Sequence, residues 1–172
     1  MPLIRLFQAT WLRWQGRLAL LLNLQDRALA CFEAINELVP GDLHALASRA
    51  QVEDRLGRTE RALALQRDLV HRAPNQASGW FNLGFMLEKA EQLEEALSAF
   101  REATRLSPAL DRAWYGQGLV LIRLRRFDEA VEALRKNTEL QPMSPYGWYQ
   151  LARVHVDRQE PEEATRIIRH LR

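Results

Sequence analysis

Cysteine is nearly missing from this chain; Cys31 is the single one. One thiol closes no internal disulfide, so nothing asks for an oxidising compartment, and the expected location is cytoplasmic. Cys31 itself reads as a buried small apolar residue. A dominant charge is missing too. The 24 Lys and Arg nearly balance the 22 Asp and Glu, for a formal net charge of +2. That argues against a nucleic-acid partner held by phosphate neutralisation. The basic side chains are mostly arginine, which favours bidentate and stacked contacts. No stretch approaches the about 20 apolar residues of a membrane span, because Arg13 and Arg17 interrupt the apolar N-terminus. No Pro- or Ser-rich linker occurs, so a single continuous array over residues 1–172 is expected, without a separate catalytic domain.

Catalytic and metal constellations are equally absent, so no enzyme activity and no cofactor are expected. His44, His71, His155 and His170 are scattered, with no helical i, i+4 pair for a metal. His155 reads as a hydrogen-bonded interior histidine. Gly79 and Gly84 have the gap of a phosphate loop, but Phe85 and Met86 follow where Lys and Ser or Thr belong. The carboxylate pairs Glu94-Glu95, Asp128-Glu129 and Glu162-Glu163 recur near helix starts, where they oppose the positive helix end.

What is present is a period. Ala28, Ala62, Ala96, Ala130 and Ala164 stand 34 residues apart, and so do Pro40, Pro74, Pro108 and Pro142, and Trp80, Trp114 and Trp148. Within one period, Trp80, Leu83, Gly84 and Leu87 form one helical stripe. Leu93, Ala96, Leu97, Phe100 and Ala103 form a second. Gly84 and Ala96 are read as small because two helix backbones approach there. Pro108 ends the second helix, and Gly57 suits a left-handed cap. Each period is thus a helical hairpin that must stack on its neighbours.

These residues resemble the tetratricopeptide repeat family, whose pattern W-x2-L-G-x2-[YL]…A-x3-F-x2-A…P is fullest from Ala77 to Leu110. Five copies fall at about 9–42, 43–76, 77–110, 111–144 and 145–172, with residues 1–8 extending the first helix. The fourth copy departs at Gln117 and Asn137, and the second at Arg49, Glu53 and Gln66. The resemblance implies an all-α, right-handed solenoid of antiparallel hairpins whose first helices line a concave groove. It also implies a non-catalytic protein–protein scaffold or adaptor.

Helix spacing then picks the groove residues: Arg13 and Arg17; His44, Ser48 and Gln51; Phe81, Asn82, Phe85 and Lys89; Arg112, Tyr115, Leu119 and Arg123; Tyr146, Tyr149, Gln150 and Arg153. Aromatics with arginine are typical of binding hot spots. The expected partner is a protein or peptide carrying apolar side chains and acidic groups. The family's carboxylate clamp is not matched: its five positions read Ala47, Gln51, Asn82, Arg112 and Gly116 in the best register.

The termini carry two further expectations. Residues before Asp26 contain Arg5, Arg13 and Arg17 but no acid, with Phe7, Trp11, Trp14 and the run Leu18–Leu22. They read as a long first helix whose aromatics pack against the second copy. The alternative is a peripheral membrane-associated assembly factor using this basic aromatic segment. At the other end, Ile167 and Leu171 have no following copy to cover them, so self-association through the C-terminal helix is the second expectation.

Overall fold

In a computed structural model, residues 2–170 are described, with side chains from Ile4 to Arg169. Among the described residues there are ten α-helices and no strand. Later first helices begin at Leu43, Ala77, Asp111 and Pro145, keeping the sequence period. The chain divides into two compact units, one up to Asn75 and one from Gln76 on.

The first unit holds α1 (Pro2–Leu21), α2 (Gln25–Leu38), α3 (Leu43–Arg55) and α4 (Thr59–Arg72). Its core joins Phe32, Ile35 and Leu29 to Ala9 and Ala19 of α1 and to Ala45 and Val52 of α3. A Cβ on Gly16 would lie 2.9 Å from the Phe32 ring, so glycine there makes room for a ring. The Asp42 carboxylate caps α3, accepting from the Ala45 amide at 2.8 Å, and it also holds Arg13. Glu53, an apolar position in the repeat pattern, is buried with Arg58 Nη1 at 3.3 Å. Gln66 is fully buried.

The second unit holds α5 (Ala77–Lys89), α6 (Leu93–Leu106), α7 (Asp111–Arg123), α8 (Phe127–Leu140), α9 (Pro145–Asp157) and α10 (Pro161–His170). The Phe100 ring lies between two glycines; a Cβ would come within 2.8 Å of it from Gly84 and 2.7 Å from Gly116. Gly84 is therefore small to admit an aromatic ring, rather than a second helix backbone. Asn137 replaces the small residue of the pattern, and Gly147 compensates. An added Cβ at Gly147 would lie 2.2 Å from Asn137 Oδ1, while Asn137 Nδ2 donates to the Asp111 carbonyl at 2.9 Å.

The shared period of tryptophan and proline has a direct cause. Trp114 Nε1 donates to the Pro108 carbonyl at 2.8 Å, and Trp148 Nε1 to the Pro142 carbonyl at 2.9 Å. Proline ends one helix, and the indole six residues later fastens the turn. The turns within the hairpins share a second device. Asn23, Gly57, Glu91, Arg125 and Gln159 all have φ between 58° and 73°, in the left-handed region. Gly57 fits its expected role as a cap; the other four are not glycines.

Two further expectations need correction. The aromatics of α1 do not pack on the second copy: Phe7, Trp11 and Trp14 are 76%, 60% and 67% exposed. The inward face of α1 is instead Ala9, Leu12, Gly16 and Ala19. Cys31 is half-buried rather than buried, and this partial burial pushes its thiol pKa up.

Candidate surface on the first helices

In the second unit α5, α7 and α9 are the first helices of their hairpins; α7 touches α5 and α9 touches α7. Residues one period apart therefore form rows: Phe81, Tyr115 and Tyr149 in one, Phe85, Leu119 and Arg153 in the next. The aromatic row becomes more exposed toward α9. Phe81 and Tyr115 are half-buried, whereas Tyr149 is 63% exposed. Tyr146, on the same helix, is also exposed.

Several candidates have partners inside the unit. The Arg112 guanidinium stacks over the Phe81 ring at 5.3 Å, and that ring sits 6.0 Å from Phe100 in a tilted pair. Phe81 is thus partly core. Arg123 reaches back to α5, with Nη1 2.7 Å from Glu88 Oε1, and on to the following turn, with Nη2 on Glu91. It clamps two hairpins, and its charge is largely spent within the fold. Asn82 is half-buried, and Phe85 is exposed. The Gln150 carboxamide oxygen is buried without a hydrogen-bond partner.

At the α9–α10 end, Pro145, Tyr149, Ala152, Arg153, Val156 and Ile168 line a cleft of about 540 Å³. Arg153 is the single charged residue among these six, so a ligand would meet an apolar floor with one cation at the edge. Helix spacing singles out Tyr149 and Arg153. Val156 follows one turn after Arg153 on the same helix, while Ile168 is brought beside them only by the docking of α10 on α9. Ile168, half exposed, is more open than Ile167. Leu171 lies outside the described residues.

In the first unit Arg13, Arg17, Phe32, His44, Ala45 and Ser48 line a smaller cavity of about 150 Å³. Arg13 is held by Asp42, leaving Arg17 as the more available cation. Gln51, further along α3, is exposed and does not line it.

The carboxylate pairs at the second-helix starts also bind arginines. Glu129 Oε2 is 2.6 Å from Arg101, and Glu129 Oε1 is 2.7 Å from Arg126 Nε. The Arg126 hydrogen bond leads the effects holding the Glu129 carboxyl below its ordinary value. No group of three or more His, Cys, Asp or Glu side chains that could hold a metal occurs among the described residues. None of their helices is long and apolar enough to cross a membrane.

The profile of the tetratricopeptide repeat matches residues 47–111, 86–145 and 115–165. No curated protein matches the chain. Among solved structures, a crystal structure of MamA superposes with a TM-score of 0.88 at 18% identity, covering 95% of this chain and 90% of that one. MamA from Desulfovibrio magneticus RS-1 gives 0.88 at 21% identity, covering 95% and 93%. YrrB, described as a TPR protein with an unusual peptide-binding site, gives 0.78 at 21% identity, covering 91% and 80%. Such identities speak for the fold alone, an all-α solenoid of antiparallel hairpins. With the repeat profile spanning more than half of its length, the chain belongs to the tetratricopeptide repeat family.

Proposed function

We propose that this protein is a non-catalytic binding module, a scaffold or adaptor, that takes a peptide or protein segment on the first-helix surface of its second unit. The observation that carries this reading is the exposure of Tyr149 beside Arg153 on an apolar cleft of about 540 Å³. Core packing needs neither side chain there. Tyrosine offers a large, stiff contact surface with a polar tip. Arginine pairs with carboxylates in a bidentate fork.

The ligand chemistry follows from the lining. An aliphatic or aromatic side chain fits against Val156, Ile168 and Tyr149, and a carboxylate one or two residues away reaches Arg153. Phe85, Arg112 and Tyr146 extend the surface for a longer segment. The unusual peptide-binding site described for YrrB supports the reading by analogy of fold.

Selection from a displayed peptide library against the full chain tests it. Selected peptides are expected to combine an apolar anchor with an acid. They should lose at least about tenfold in affinity for Tyr149→Ala/Arg153→Glu at unchanged helicity, the size of a single interface hot spot. Peptides that bind the variant equally would refute this surface.

A further inference from the structure

Helix α1 is 20 residues long, whereas α3, α5, α7 and α9 have 13 each. The added length lies before Ala9, where every described side chain from Ile4 to Gln8 is exposed. None of them belongs to the core of their own unit, yet Ile4 and Phe7 continue a stripe that runs on through Trp11, Trp14, Leu18 and Leu21. The spacing alternates three and four residues, the a/d repeat of a helix pair. All six side chains are 57–84% exposed. The opposite face of α1, with Ala9 and Gly16, packs into the core of the unit.

The stripe reads alike from both ends. Around a midpoint between Leu12 and Arg13, Trp11 mirrors Trp14, Phe7 mirrors Leu18, and Ile4 mirrors Leu21. A two-fold axis through that midpoint makes the stripe complementary to itself, the requirement for an isologous contact. The indoles of both copies then meet at the centre, where interface energy concentrates.

We infer that α1 pairs antiparallel with α1 of a second copy of this chain, making a two-fold dimer through this stripe. Charge permits it. Of the flanking residues Gln8, Thr10, Gln15 and Arg17, only Arg17 is charged, so like charges need not meet directly. Area permits it as well. At about 200 Å² for each fully buried aromatic, Phe7, Trp11 and Trp14 alone supply roughly 400 Å² per copy. With the three aliphatics the total approaches the ~800 Å² per partner of a stable interface. Leu6 and Leu22, also exposed, flank the stripe. Its a/d spacing and its two-fold mirror favour a second helix over a lipid surface, which requires neither.

Sedimentation of the full chain at micromolar to submillimolar concentration tests the pairing. The wild type is expected to sediment as a dimer, and Trp11→Ala/Trp14→Ala as a monomer of unchanged helicity. A wild type that stays monomeric throughout, or a dimer that survives both substitutions, would overturn the inference. Crosslinking in a Cys31→Ser background tests the orientation. Phe7→Cys chains should form disulfides with Leu18→Cys chains and not among themselves. Antiparallel pairing sets the two thiols of a Phe7→Cys pair about 16 Å apart along the axis. Efficient Phe7→Cys self-crosslinking contradicts the antiparallel register. Flotation of the wild type with vesicles of phosphatidylserine and phosphatidylcholine, abolished by the two Trp substitutions without any dimer in solution, would assign the stripe to lipid instead.

Discussion

His155 Nδ1 donates to the Glu160 carboxylate at 2.7 Å, and His155 is only 4% exposed. At the same repeat positions three copies earlier, Glu53 and Arg58 form the same contact with the polarity reversed. Leu87 and Leu121 fill the buried position in the copies between, both nearly inaccessible. The second and fifth copies thus replace a buried leucine with a hydrogen-bonded ionisable group whose partner stands five residues on. A buried polar group costs stability unless it is paired, which explains why the two members change together.

This pairing has a pH consequence. The His155 hydrogen bond, with further help from Arg158, holds the Glu160 carboxyl below its ordinary 4.5. A folded pKa below the unfolded one gives a stabilisation that is complete above the ordinary value and is lost as pH falls through the lowered one. Glu160→Gln should therefore melt earlier than wild type at neutral pH. The difference should shrink in acid, as read by thermal melts at about pH 7 and about pH 3.

Phe100 gives a packing prediction. Its ring has glycine on both sides, so it cannot move away from a new methyl on either. Gly116→Ala is expected to destabilise the chain by about 1–3 kcal/mol, and Phe100→Ala by about 3–5 kcal/mol through the cavity left behind. Urea denaturation checks both.

The left-handed turn positions give a prediction of opposite sign. Gln159 holds φ of 63° without being glycine. Gln159→Gly should stabilise by roughly 1 kcal/mol, and Gly57→Ala should destabilise by a similar amount. Matched thermal melts decide.

Trp148→Phe keeps most of the ring volume and removes the donor to the Pro142 carbonyl. The expected cost is about 0.5–1.5 kcal/mol for the lost hydrogen bond alone. An unchanged stability would mean that the indole contributes through packing only.

Much of this fold is legible in the sequence because a period repeats its evidence. Trp114 and Trp148 announce the hairpin register before their hydrogen bonds are seen. What is not legible depends on partners distant in sequence. Gly147 looks like an ordinary small residue until Asn137, with its larger side chain, is found beneath it. Glu91, Arg125 and Gln159 carry no mark of a left-handed backbone, since among these turns only Gly57 and Asn23 are residues that conformation favours. Arg123 and Tyr149 look alike as groove residues. The first is tied to Glu88 and Glu91, and the second is open. Trp11 and Trp14 have helical spacing, but spacing alone does not say which face of α1 meets the core.

Binding of protein on the first-helix surface of the second unit is tested most directly by affinity capture from source-cell lysate, read by quantitative mass spectrometry. Wild type is compared with Arg112→Glu/Tyr115→Ala/Tyr149→Ala after both are shown to have equal helicity and melting. The expected result is a partner retained by wild type and lost by the variant. A partner held equally by both would contradict this reading and move the binding site away from these side chains.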